Sequence, residues 1–153
     1  MRIAIASDHG GFDQKAPLIA HLKGSGHSVS DFGPDTDESV DYPDYAGPVA
    51  HAVSVGDADR GVLICGTGIG MSITADKVPG VRAAPVQNVT FAHLFRQHND
   101  GNVLCLSGRF VSLEDNLAIV DEFLATEFEG GRHTARVEKA MREDTPSAQR
   151  SGC

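Results

Sequence analysis

The 153-residue chain is short of cysteine, of basic residues and of long apolar runs, and each shortage removes a class of function. Its three cysteines, Cys65, Cys105 and Cys153, form an odd set without paired spacing, so they do not describe a disulfide framework. Thirteen Lys and Arg face twenty-one Asp and Glu, a net charge of −8, which argues against nucleic acid or an anionic membrane as the main partner. Any phosphate bound here is expected to be small and held locally. No apolar run approaches the roughly 20 residues that span a bilayer, and Met1 to Gly11 reads as a short strand rather than a signal peptide. The expectation is a reduced, cytoplasmic protein. The length suits one domain, placed at residues 1–144, with a flexible tail over 145–153 and no internal repeats.

What the chain does have is a glycine-rich turn with a thiol at its lip. Cys65 follows the apolar run Gly61-Val62-Leu63-Ile64 and precedes Gly66-Thr67-Gly68-Ile69-Gly70. Closely spaced glycines between a strand and a helix leave N–H groups pointing at a phosphate or a developing oxyanion. Three lookalikes fail on single positions. The dinucleotide fingerprint needs a third glycine where Met71 stands, a cysteine phosphatase loop needs an arginine there, and the nucleotide-binding phosphate loop needs a Gly-Lys pair that is absent. A nicotinamide enzyme is therefore not expected.

Short apolar runs recur at Ile3 to Ala6, Val29 to Phe32, Val62 to Ile64, Val81 to Pro85 and Val103 to Leu106. They read as buried parallel strands. Between them lie helical stripes at Phe12, Ala16, Ile19 and Leu22, at Phe91, Leu94 and Phe95, and at Leu113, Leu117, Val120, Leu124 and Phe128, the last opened by a Ser112–Asp115 capping pair. Five βα repeats predict an α/β three-layer sandwich with a five-stranded parallel sheet. Ligands in such sheets bind beyond the carboxyl ends of the strands. Asp8-His9-Gly10-Gly11, Cys65 to Gly70 and Ser107-Gly108-Arg109 all fall just after strands, and the Gly33 to Pro43 loop can bring Asp41 and Tyr42 to the same edge.

Each residue also has an ordinary structural explanation. Cys65 can be an inert packed thiol, although a helix N-terminus with several N–H groups also suits a base or nucleophile. Cys105 sits inside an apolar strand and reads as packing. Asp8 can cap the helix that starts near Phe12, while His9 is harder to explain as a cap. His98 can be a dipole partner at a helix end or, with Asn99 and Asp100, a proton donor near neutral pH. Arg132 and Arg136 share a helix face and either clamp a phosphate or form a solvated basic helix end. His93 and His98 lack metal-ligand spacing, so no metal site is expected.

Taken together, Asp8-His9-Gly10-Gly11-Phe12, Asp41-Tyr42-Pro43, Cys65 to Gly70, Arg96-Gln97-His98-Asn99-Asp100 and Gly130-Gly131-Arg132-His133 with Arg136 resemble the type B ribose-5-phosphate isomerases and their relatives, from Met1 to about Arg142. The resemblance implies a Rossmann-like fold without a cofactor. It also implies interconversion of aldose and ketose sugar phosphates, and a homodimer or tetramer whose active sites are shared between subunits, the C-terminal helix reaching toward a partner. By resemblance Cys65 is the base, Thr67 acts beside it, and Gly66, Gly68, Ile69 and Gly70 line the oxyanion hole. His98 opens the sugar ring, Asp8 and Asn99 meet substrate hydroxyls, and Tyr42 contributes to the substrate site. His9, Arg109, Arg132 and Arg136 hold phosphate and sugar. One branch of the family has serine at position 65 and glutamate at 71; Met71 indicates the cysteine branch. The favoured substrate is ribose 5-phosphate, with tetrulose 4-phosphates and allose or galactose 6-phosphate as alternatives, and a sugar-phosphate sensor or a redox thiol protein as readings from other classes.

Overall fold

The computed structural model describes residues 1–144; the expected tail and Cys153 lie outside the described residues. Five strands, β1 (Arg2–Ser7), β2 (Ser28–Asp31), β3 (Arg60–Cys65), β4 (Ala83–Pro85) and β5 (Val103–Ser107), form one parallel sheet in the order β2-β1-β3-β5-β4. The connecting helices are α1 (Phe12–Gly24), α2 (Pro43–Ser54), α3 (Ile69–Ala75) and α4 (Val89–Asn99), followed after β5 by α5 (Leu113–Ala125) and α6 (Arg132–Met141).

Side-chain alternation decides the layers. Ile3, Ile5, Val62, Ile64, Leu104 and Leu106 face one side and pack with Leu18 and Leu22 of α1, Phe95 of α4, and Ile119 and Phe123 of α5. Ala4, Ala6, Leu63, Cys65, Val103 and Cys105 face the other side, against Val49 and Ala50 of α2 and Met71 and Ala75 of α3. Burial pushes the Cys105 thiol well above its ordinary pKa, in keeping with a packing role. From β1 the chain steps outward to β2, then returns across β1 to β3. The carboxyl ends of β1 and β3 are thus the point where connections part to opposite faces, and a crevice opens there.

Several boundaries differ from the expected ones. β4 is shorter because the Arg82 N–H is taken by the Asn102 side chain at 2.7 Å rather than by a strand. The last apolar stripe ends before Phe128: α5 stops at Ala125 because Thr126 is extended, its carbonyl accepting from Arg96 Nε at 3.2 Å. Ser112 does cap α5, accepting from the Asp115 N–H at 3.1 Å. Asp8 does not cap α1; its Oδ1 accepts from the Gly10 N–H at 2.7 Å and so shapes the loop before the helix.

Candidate active site

At the carboxyl edge three loops meet at glycines. A side chain on Gly10 would lie 2.8 Å from the Gly66 nitrogen, and one on Gly108 would lie 2.6 Å from the Gly10 carbonyl oxygen. Only bare backbone lets the turns after β1, β3 and β5 approach this closely. They are fastened by the Asp8 N–H to the Ile64 carbonyl at 3.0 Å and the Gly108 N–H to the Cys65 carbonyl at 2.8 Å. Ser107 Oγ adds a bond to the Gly66 carbonyl, also at 2.8 Å.

Cys65 ends β3 and is 5 % exposed, so the thiol belongs to the edge of the core rather than to an open surface turn. Its sulfur accepts from the Gly68 N–H at 3.1 Å. Thr67 Oγ1 accepts from the Ile69 N–H at 3.3 Å, which leaves the hydroxyl proton available to donate. Tyr42, just before α2, lies over this turn: a side chain on Gly70 would come within 2.8 Å of its ring. His9 Nδ1 accepts from the Val40 N–H at 3.3 Å, and Arg109 lies across Gly66, its Cδ 3.3 Å from where a Cβ would be. The edge therefore gathers a thiol, backbone donors, an imidazole, a carboxylate and a guanidinium around one turn.

His98 and Asn99 are elsewhere. They end α4, directly before β5, and so lie at the amino edge of the sheet. With Arg82, His133, Arg136, Val137 and Ala140 they line a cavity of about 350 Å³. The His98 and His133 rings stack at 4.3 Å, tilted by 10°, and Glu129 Oε2 stands 3.3 Å from His133 Nε2 and 4.0 Å from His98 Nε2. Burial first, then the neighbouring His98, lowers the pKa of His133. Arg132 is exposed and reaches His133 Nε2 at 3.4 Å. Donor atoms of His98, Glu129 and His133 all fall within 4.8 Å of one another, close enough to suggest a metal. Rings so nearly parallel cannot both hold one ion in their planes, however, and two arginines stand beside them.

The expected site residues thus separate into two groups: Asp8, His9, Tyr42, Cys65 to Gly70 and Arg109 at one edge, and His98, Asn99, Arg132 and Arg136 at the other. The length of β5 separates them, five residues or about 15 Å. Arg82 and Glu129 are not among the expected residues, and His133 enters there only within the Gly130-Gly131-Arg132-His133 motif. Arg82 enters the cavity because β4, which it precedes, pairs with β5, and this long-range pairing leaves no local signal.

Known proteins resemble this chain over most of its length. Residues 3–140 match the family model described as Ribose/Galactose Isomerase. A probable ribose-5-phosphate isomerase B of Mycoplasma pneumoniae is 50 % identical over 140 residues, covering 91 % of this chain and 92 % of that protein. The solved ribose-5-phosphate isomerase B of Clostridium thermocellum superposes with a TM-score of 0.93 at 51 % identity, covering 94 % of this chain and 97 % of the other. That of Mycoplasma genitalium, solved with bound ribulose-5-phosphate, gives a TM-score of 0.90 at 48 % identity, covering 94 % and 95 %. The crevice at the β1 and β3 switch point, with its thiol and glycine turn, is thus set in a chain that belongs to the ribose/galactose isomerase family.

Proposed function

We propose that this protein interconverts D-ribose 5-phosphate and D-ribulose 5-phosphate through an enediolate, with Cys65 as the base. The observation that carries the reading is the position of the Cys65 sulfur at a glycine turn whose Gly68 N–H donates to it, within a chain so similar to isomerases of that name.

The chemistry needs a base, donors for negative charge and a grip on the phosphate. The thiolate takes the proton from C2 of the open aldose, the C1 carbonyl oxygen becomes the enediolate oxygen, and the proton returns at C1. The O2 proton passes to O1, a transfer for which the Thr67 hydroxyl is suitably placed on the turn. The Gly68 N–H gives the sulfur a donor that stays in place when it carries charge. Backbone N–H groups between Gly66 and Gly70 do the same for the enediolate oxygens. His98 protonates the ring oxygen to open the furanose. Binding energy from the phosphate, remote from C1 and C2, presses the reacting carbons against the thiol.

A single chain holds these parts at opposite edges of its sheet, so the reading places two copies at each site. One copy supplies Asp8, His9, Tyr42, Cys65 and Arg109; the other supplies His98, Asn99, Arg132 and Arg136. Two features support this. Among the residues of α6 only His133 is buried, leaving the rest of that helix without a core of its own. Around the Cys65 turn, Tyr42, Ile69, Ile73 and Phe110 are all large apolar side chains left exposed. In a two-fold pair each copy gives and receives, and two equal sites result. Incubation of the purified protein with ribose 5-phosphate in deuterated water tests the chemistry: ribulose 5-phosphate should form with solvent deuterium at C1, and Cys65→Ala should slow both by about 10² to 10⁴-fold. Product formation by Cys65→Ala at the normal rate would refute the assignment.

A further inference from the structure

The cavity around His98 and Asn99 is bounded by an arginine whose charge is already engaged. Arg82 donates from Nη2 to Asp100 Oδ2 at 2.9 Å and from Nε to the Asp100 carbonyl oxygen at 2.7 Å. From the other side Arg96, 1 % exposed, donates from Nη1 to Asp100 Oδ1 at 2.9 Å and to the Gly101 carbonyl oxygen. Asp100 sits at φ 47, and among the described residues it is the only non-glycine with positive φ. Glycine or asparagine would close α4 equally well in that conformation. An aspartate is accounted for by the arginines: a buried guanidinium without a counter-charge is strongly destabilising, and a carboxylate with each oxygen on a different guanidinium is fixed in both position and rotation.

We propose that Asp100 is a positioning residue for the isomerase: clamped between Arg96 and Arg82, it fixes the turn that directs His98 and Asn99 into the cavity. The clamp ties three parts of the chain together. Arg96 belongs to α4, Arg82 leads into β4, and Asp100 starts the link to β5. The Asp100 N–H returns to the Arg96 carbonyl at 3.1 Å, and the Glu129 N–H bonds the Gln97 carbonyl at 3.0 Å, holding the facing loop to the same helix end. His98 and Asn99 are the two residues inside this fastening. Arg82, committed to Asp100, acts here as a support, and phosphate recognition in this cavity is left to Arg136.

The inference rests on the proposed role of His98, and its test separates the two. Asp100→Asn keeps the size of the side chain and its tolerance for positive φ but replaces one anionic oxygen with an amide facing a guanidinium. Arg82→Gln removes the outer half of the clamp and keeps the proposal testable should Asp100→Asn fail to fold. Two readouts are taken on the full-length enzyme. The first is the His98 ring signal in ¹⁵N-histidine-labelled protein, identified by its loss in His98→Asn. The second is the ratio of specificity constants for ribose 5-phosphate and a four-carbon aldose 4-phosphate, which cannot close a furanose ring because its C4 oxygen is esterified. Both variants are expected to shift or broaden the His98 signal and leave that of His51 in place. They should also lower the ratio about tenfold, through kcat more than KM. If His98→Asn itself leaves the ratio unchanged, the ring-opening role falls while the ring signal still judges the clamp. An unmoved His98 signal in both variants overturns the proposal. So does a moved signal with an unchanged ratio where His98→Asn lowers it.

Discussion

The Gly68 N–H donates to the Cys65 sulfur at 3.1 Å, across the turn that carries β3 into α3. The bond is possible because Gly68 adopts φ 79 and lies where a side chain would come within 3.2 Å of the Cys105 and Leu106 backbone. The thiol and its donor are thereby held by the sheet itself rather than by a mobile loop.

Gly68→Ala is therefore predicted to strain the backbone and press on β5 together. A loss of stability of about 2 kcal/mol or more is expected, with a larger loss of activity as the sulfur loses its donor. Chemical denaturation alongside the isomerase assay checks this; unchanged stability would mean that the turn relaxes freely.

Cys65→Ala is predicted to lower turnover by about 10² to 10⁴-fold, the usual range for removing a general base. Because the thiol is buried, the same change should also cost about 1 kcal/mol of stability, so folding must be monitored in parallel. Circular dichroism of the variant together with its rate separates the two losses.

Arg136→Ala removes a guanidinium from the cavity that holds His98 and Asn99. If it grips the phosphate, KM for ribose 5-phosphate should rise about tenfold or more with a smaller change in kcat, since a charged hydrogen bond contributes about 1.5 to 3 kcal/mol. An unchanged KM would remove Arg136 from phosphate recognition.

His133 provides a pH prediction. Its pKa in the folded chain is below the ordinary 6.5, chiefly through burial. Below about pH 6.5 the unfolded chain takes up this proton while the folded chain still resists it. The stability contributed by a neutral His133 is therefore full above that pH and lost as pH falls through the lower folded value. Thermal melts of wild type and His133→Asn should show a smaller acid-side loss in the variant, and parallel losses would exclude His133 as the cause.

Short apolar runs separated by helical stripes made the sheet legible, the runs being too short for helices, and the rule that ligands sit beyond strand ends located Asp8, Cys65 and Arg109. The same rule passes over His98, which precedes a strand. His98 stands at the opposite edge, and its motif signals function without showing that a second chain must bring it to the thiol. Arg82 was equally hidden: it reaches Asp100 only because β4 pairs with β5, which no local spacing encodes, whereas Arg96 stands four residues before Asp100 in the same motif.

The most direct measurement mixes two impaired proteins. Cys65→Ala and His98→Asn are each purified, combined in equal amounts, dissociated and reassembled, then assayed on ribose 5-phosphate. In a mixed pair one site combines an intact Cys65 from one copy with an intact His98 from the other, and the second site carries both defects. Random pairing of two-fold dimers then restores about a quarter of wild-type activity. That recovery is the expected result; no activity above the sum of the two parents would contradict a site shared between copies and, with it, the proposed pairing of Cys65 and His98.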